Sequence, residues 1–155
     1  MTTRGDYRFA HPFRVRYAEI DGQGIVFNAH YLTWFDTAIT EYLRHLGYDY
    51  QAAVRETGND YHLVKSTVEY KAPIRFDEEV EVAVRVPRIG RSSLVFDLAI
   101  FGKGESDPRA TGENIWVNTH QATHTTVPVD DDLVGRVQAH EGEAITLSRP
   151  AAAGS

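Results

Sequence analysis

Apolar residues recur along this chain with two different periods, and the change of period divides it. Tyr7, Phe9, His11, Phe13, Val15 and Tyr17 alternate with positions that include Arg8, Arg14 and Arg16, the period of a half-buried strand. Pro12 makes that strand an edge or a broken one. Between Asn28 and Gly47 the period becomes helical. Tyr31, Leu32, Phe35, Ala38, Ile39, Tyr42, Leu43 and Leu46 fall on one apolar arc roughly 140° wide at about 100° per residue. Thr33, Thr37, Thr40, Glu41 and Arg44 occupy the other face, so the spacing predicts a surface helix with one buried side. Asn28 is the expected N-cap and Gly47 the expected C′ residue.

A polar connection follows, with a short helical turn expected at Gln51 to Glu56 and an end at Gly58-Asn59-Asp60. From Tyr61 the period is two again. His62, Val64, Ser66, Val68 and Tyr70 alternate with Leu63, Lys65, Thr67, Glu69 and Lys71 until Pro73, and Val80, Val82, Val84 and Val86 alternate with Glu79, Glu81, Ala83 and Arg85. Arg88 to Arg91 reads as a turn, Ser92 to Phe101 as the returning strand, and Arg109 to His120 as a further strand containing Gly112. One long helix inserted early among about four consecutive antiparallel strands predicts an α+β fold. The economical arrangement is a curved antiparallel β-sheet wrapped around one long central α-helix, whose apolar stripe lies in the concave face. Asp130-Asp131-Asp132 opens a short C-terminal segment, and Pro150 to Ser155 is expected to be a disordered end.

The 155 residues fit a single domain, 1–155, with a core over about 7–128 and a C-terminal extension over 129–155. The chain has no cysteine, so disulfides and thiolate zinc sites are excluded. MTTRGDYRF lacks the order of a signal peptide, and no apolar run approaches the roughly 18 residues of a membrane span. A soluble, cytoplasmic protein with no membrane association is the expectation. The formal charge of −6 argues against nucleic acid as a partner. From Glu105 onward there are eight acidic residues against three arginines, whereas the preceding part is nearly neutral. A local basic cluster in the first two thirds can therefore still meet an anionic ligand.

Asp21 carries the candidate chemistry. It sits between the first strand and the helix, beside Gly22 and Gly24, which allow main-chain amides to approach a ligand closely. The unpaired amides of the first helical turn, around Asn28, face the same space and favour developing negative charge. A carboxylate opposite a helix N-terminus is a workable acyl-transfer site. Asp-Gly is also a common turn dipeptide, and taken alone it reads first as a turn. His120 and His124, four apart on a strand, do not converge on a metal, and Asp77-Glu78-Glu79 reads as polarity at a strand entry rather than a catalytic pair.

Tyr17, Asp21, Gly24, Val26, Tyr31, Trp34-Phe35 and Glu41, followed by Tyr70-Lys71-Ala72-Pro73-Ile74-Arg75-Phe76-Asp77, resemble the 4-hydroxybenzoyl-CoA thioesterase type of the hotdog-fold superfamily over about Phe13 to Pro128. The resemblance implies a hotdog fold and dimers with paired sheets, as a homodimer or a homotetramer, with active sites at the dimer interface. It implies hydrolysis of an acyl-coenzyme A thioester without metal or bound cofactor. By position Asp21 matches the catalytic carboxylate, as nucleophile or as general base on water. Asn28 matches the residue whose backbone amide polarises the thioester carbonyl. Some members carry histidine there; His30 is the nearest substitute, although a histidine in a first helical turn reads first as solvated. Tyr31 is expected to shape the acyl pocket. Arg88, Arg91 and Ser92, with Ser93 adjoining, are the expected contacts to the nucleotide phosphates.

Two other classes make different demands on the sequence. A non-catalytic acyl-CoA-binding or sensing protein on the same fold would be expected to lose Asp21 and to carry a DNA-binding segment, for which there is no room before Tyr7. A hydratase or dehydratase would want a histidine in the loop Gly22 to Phe27, which has none.

Overall fold

A computed structural model describes residues 2–142 and 145–148. The expected end at Pro150 to Ser155 lies outside the described residues. Strand β1 (Phe9–Arg14) is followed by a 3-10 turn at Tyr17–Glu19, helix α1 (His30–His45), helix α2 (Tyr50–Thr57) and strands β2 (Asn59–Tyr70), β3 (Glu79–Gly90), β4 (Ser93–Gly102) and β5 (Pro108–His120). A two-residue strand β6 (Thr125–Thr126), helix α3 (Asp131–Glu141) and strand β7 (Thr146–Ser148) complete it. The sheet order is β1-β3-β4-β5-β2, with β6 on β5 and β7 parallel to β3; β1 through β5 pair antiparallel throughout.

The apolar stripe of α1 forms the centre of the core. Phe35, Ala38, Ile39 and Tyr42 are fully buried with Val82, Val84, Phe96, Leu98 and Ile100 of the sheet. Each large side chain so buried contributes about 1.5–3 kcal/mol, enough to outweigh the modest helix propensity of an aromatic, threonine-rich segment. The Phe35 ring packs directly on the β5 backbone at Gly112, where a Cβ would overlap that ring and the Thr67 carbonyl oxygen. The Gly112 expected within a strand is thus a packing requirement.

Several expectations about boundaries are corrected. The N-cap of α1 is Ala29, which makes no side-chain cap bond, and Asn28 stands one residue earlier. The buried arc includes Trp34, whose indole has a carboxylate to bond, while Leu32 at the margin is exposed. The helix ends as expected: Gly47 N–H donates to Arg44 O and Tyr48 N–H to Leu43 O, the paired bonds of a Schellman motif. The first strand is shorter than its alternation: Tyr17 is three-quarters exposed, edge-on to Phe76, and Tyr7 packs on the convex face against Phe101. The turn at Gln51 to Glu56 is a complete helix, α2, capped by Asp49 through Ala52 N–H. Arg88 belongs to β3, and the chain reverses over Gly90 to Ser93.

Part of the segment expected as an extension beyond the core packs onto it. Val129, Leu133, Val134 and Val137 are buried in the main cluster. The Asp130 side chain caps α3 through Leu133 N–H at 3.2 Å and accepts the hydroxyls of Tyr48 at 3.1 Å and Tyr61 at 2.9 Å. Burial, reinforced by that carboxylate, pushes both phenols well above their ordinary value. At the far end of α3 the buried Glu141 carboxylate accepts from Tyr42 Oη at 2.5 Å and from Val86 N–H at 3.0 Å.

Replacing Gly112 by Ala is expected to lower stability by about 1–3 kcal/mol through overpacking against Phe35. Chemical denaturation would register this as a lower midpoint with an unchanged slope.

Candidate active site

The Asp21 loop is a small hairpin. Asp21 N–H donates to Ile25 O at 2.8 Å and Gly24 N–H to Asp21 O at 3.0 Å, with isolated bridges Ile20 to Val26 and Ile25 to Arg75. Gly24 turns the chain at φ +77°, a conformation costly for other residues. The carboxylate is oriented by its own loop: Oδ1 accepts Gln23 N–H at 2.8 Å. Oδ2 has no hydrogen bond among the described residues. Asp21 is therefore both a turn former and a carboxylate with one oxygen left open.

Two charged groups fix what surrounds it. Glu19, buried two residues upstream, accepts Trp34 Nε1–H at 2.7 Å and Arg16 N–H at 2.8 Å, and its carbonyl oxygen accepts Phe27 N–H at 2.9 Å. Burial pushes its carboxyl upward, but the hydrogen bonds from Arg16 and Trp34 outweigh this and hold it below the usual value. Arg109 clamps the opposite wall. Its carbonyl accepts the amides of Lys71 and Ala72, and its guanidinium donates to Pro73 O at 2.9 Å while pairing with Glu78 at 3.1 Å and Glu105 at 2.7 Å. Glu78 is bound in turn by Arg75 N–H at 2.7 Å. The bonds from Arg109 chiefly, opposed by burial, hold Glu78 below its ordinary value, and those to Glu105 and Glu78 raise the guanidinium further.

Between these walls lies an open cleft of about 620 Å³, lined by Asp21, Gln23, Ile25, Val26, Asn28, Tyr31, Tyr70 and Lys71 to Pro73. Three expected site residues, Asp21, Asn28 and Tyr31, thus share it. Tyr31 is buried and meets Tyr70 edge-on at 4.8 Å between ring centroids. Burial first, and Tyr70 second, raise the Tyr31 phenol above its usual value. At the helix start Phe27 N–H donates to Glu19 O and His30 N–H to Phe27 O, whereas the Asn28 and Ala29 amides donate to nothing among the described residues. The His30 ring rests edge-on against Phe27.

Arg88, Arg91 and Ser92 gather at the β3–β4 reversal, with both arginines exposed. They are not beside Asp21 in the same chain. The Asp21 end of the molecule meets β3 near Glu78 and Glu79, and Arg88 lies nine residues further along, about 30 Å at strand rise. Tyr70, Glu19 and Arg109 were not singled out as site residues by sequence reading. Tyr70 stands in the second block of the resemblance, while nothing marks Glu19 or Arg109 beyond their charge.

The family model described as the thioesterase superfamily matches residues 23–108. The chain belongs to the thioesterase superfamily. Among curated relatives, the acyl-CoA thioester hydrolase YbgC of Escherichia coli is 38% identical over 88 residues, 57% of this chain and 65% of that protein. The chain thus spans just under two thirds of that relative's length. A crystal structure of a Pseudomonas aeruginosa protein superposes with TM-score 0.80 at 28% identity, over 92% of this chain and 97% of that one. A Thermus thermophilus thioesterase, complexed with coenzyme A and zinc, does so with TM-score 0.74 at 25% identity, over 89% and 97%. The curved sheet around α1 is the hotdog fold of this superfamily. No helix among the described residues is long and apolar enough to cross a membrane.

Glu19 sits at its depressed pKa only when folded. Its stabilisation is present above the unfolded value near 4.5 and is lost as pH falls through the lower folded value. Glu19→Gln is therefore expected to cost about 1.5–3 kcal/mol at neutral pH. The gap from the parent should narrow below pH 4 in denaturation curves.

Proposed function

We propose that the protein hydrolyses acyl-coenzyme A thioesters to the free acid and coenzyme A. The observation that carries this is the cleft that Asp21, with its open oxygen, and Asn28 line together, the Asn28 and following Ala29 amides having no hydrogen-bond acceptor among the described residues. Relatives named as acyl-CoA thioester hydrolases support the substrate class.

Asp21 acts as general base on water or as nucleophile through a mixed anhydride. As base, it takes a proton from water while the water oxygen bonds the carbonyl carbon. The carbonyl oxygen becomes negative, held by the Asn28 amide with Ala29 beside it at the positive end of α1. Collapse breaks the carbon–sulfur bond, and the thiolate leaves with the proton Asp21 had taken. As nucleophile, Asp21 bonds the carbonyl carbon itself, releases the thiolate, and water then cleaves the anhydride. Tyr31 lines the acyl end.

Arg88, Arg91 and Ser92 take the nucleotide phosphates, across a homodimer interface. Strand β2 is an edge of twelve residues with Leu63 and Val64 more than half exposed, a template for pairing with a second copy. Antiparallel pairing of two β2 edges sets the far end of one protomer beside the Asp21 end of its partner. The 30 Å separation within one chain is what such pairing would close.

Asp21→Asn is expected to lower kcat at least about 100-fold with the fold retained by circular dichroism. Turnover near the parent's across a panel of acyl-CoAs, followed by free thiol, would sink the reading; tight acyl-CoA binding without thiol release in the parent would favour a sensor. A second experiment tests the shared site. Arg88→Ala combined with Arg91→Ala should raise KM about 10-fold or more. Hybrids of that variant with Asp21→Asn contain one intact site, so a refolded mixture should regain on the order of a quarter of parental activity at low substrate. No recovery would place both groups in one protomer's site.

A further inference from the structure

We infer that Tyr70 is a positioning residue for the carbonyl-binding amides at the start of α1, acting through the Asn28 carbonyl. This rests on the cleft being the thioester-hydrolysing site proposed above.

The Tyr70 hydroxyl donates to Asn28 O at 2.9 Å. Asn28 precedes the N-cap, so its carbonyl stands outside the helical ladder and would otherwise be left to water. A peptide unit is planar, with its carbonyl and the following N–H pointing opposite ways. A donor that fixes the Asn28 carbonyl therefore fixes the Ala29 N–H of the same unit, and it limits the freedom of the Asn28 residue carrying the neighbouring amide. Hydrogen bonds in series also polarise one another. As negative charge grows on the thioester oxygen, the row from Tyr70 O–H through the 28–29 peptide strengthens at the acceptor end.

The hydroxyl reaches Asn28 from a rigid support. Tyr70 ends β2, paired with Ala110, and the next two residues are both tied to the Arg109 carbonyl at 2.9 and 3.0 Å. Its ring packs edge-on against the buried Tyr31 at 74°. Yet Tyr70 is 53% exposed, so it contributes little to the core. A half-exposed tyrosine whose ring lies on the cleft wall and whose one bond goes to the helix start has a better account in orientation than in packing.

Tyr70→Phe removes the hydroxyl and keeps the ring. We expect kcat to fall about 3- to 10-fold, the size of one supporting hydrogen bond, with KM rising several-fold at most and the melting temperature unchanged. The discriminating measurement uses two unreactive acyl-CoA analogues. One replaces sulfur by methylene and keeps the carbonyl; the other is a thioether lacking the carbonyl. The variant should bind the ketone analogue several-fold more weakly and the thioether as well as the parent does. Unchanged kcat, or equal weakening of both analogues, overturns the positioning role. Asp21→Asn measured alongside separates the two levels. If it loses activity while Tyr70→Phe matches the parent, only the Tyr70 role falls; if it hydrolyses like the parent, the reading of the cleft fails and takes the Tyr70 role with it.

Discussion

The fit of the Phe35 ring of α1 onto β5, where it fills the space any side chain at position 112 would need, helps to orient the front of the molecule. With Phe35 down on the sheet, Trp34 is directed to the neighbouring side, where its indole N–H meets the Glu19 carboxylate. Glu19 in turn holds Arg16 and Phe27 through its side chain and backbone, and so both ends of the stretch that carries Asp21. A steric fit in the core is transmitted through one buried carboxylate to a surface loop. That chain of contacts explains how a loop can hold a carboxylate opposite a helix N-terminus.

The acidic residues around the cleft divide by what binds them. Glu19 and Glu78 are held below the ordinary carboxyl value by amides, an indole and a guanidinium, against the opposing effect of burial. Asp21 has one oxygen fixed by Gln23 and the other open. Positive charge is placed in the same way. Arg109 is consumed in holding Pro73, Glu78 and Glu105, whereas Arg88 and Arg91 stand exposed at the opposite end of β3. The charges that frame the cleft are thus paired with one another.

Much of this was legible in the sequence because it is written as period. The helical arc from Tyr31 to Leu46 and the alternating valines of β3 state which faces are buried, and a curved sheet around a helix follows. Asp21, Asn28 and Tyr31 were legible through glycine spacing and resemblance. What escaped depends on contacts distant along the chain. Arg109 looks like any strand arginine until β5 places it beside Pro73 and Glu78. Glu19 looks like surface polarity in a loop because its partner, Trp34, lies fifteen positions on. The C-terminal helix was missed as core because Val129, Leu133, Val134 and Val137 are sparse apolar positions in an acidic segment, and three consecutive aspartates conceal which one is a cap. Asn28 was misplaced by one residue because the helix starts without a side-chain cap, its N-terminal groups left for other uses.

The Asp130 carboxylate has a consequence for how the molecule opens. It joins the start of α3, the Tyr48 segment after α1 and the Tyr61 position of β2 at one point. Losing any one of these partners leaves a part-buried carboxylate or phenol short of a bond, so separating the three segments carries a shared cost. Their local opening is thereby coupled, and their backbone amides are expected to exchange with solvent hydrogen together. That unit lies at the end of α1 opposite the cleft. The molecule can therefore loosen its C-terminal helix and the first half of its edge strand while the Asp21 loop keeps its shape.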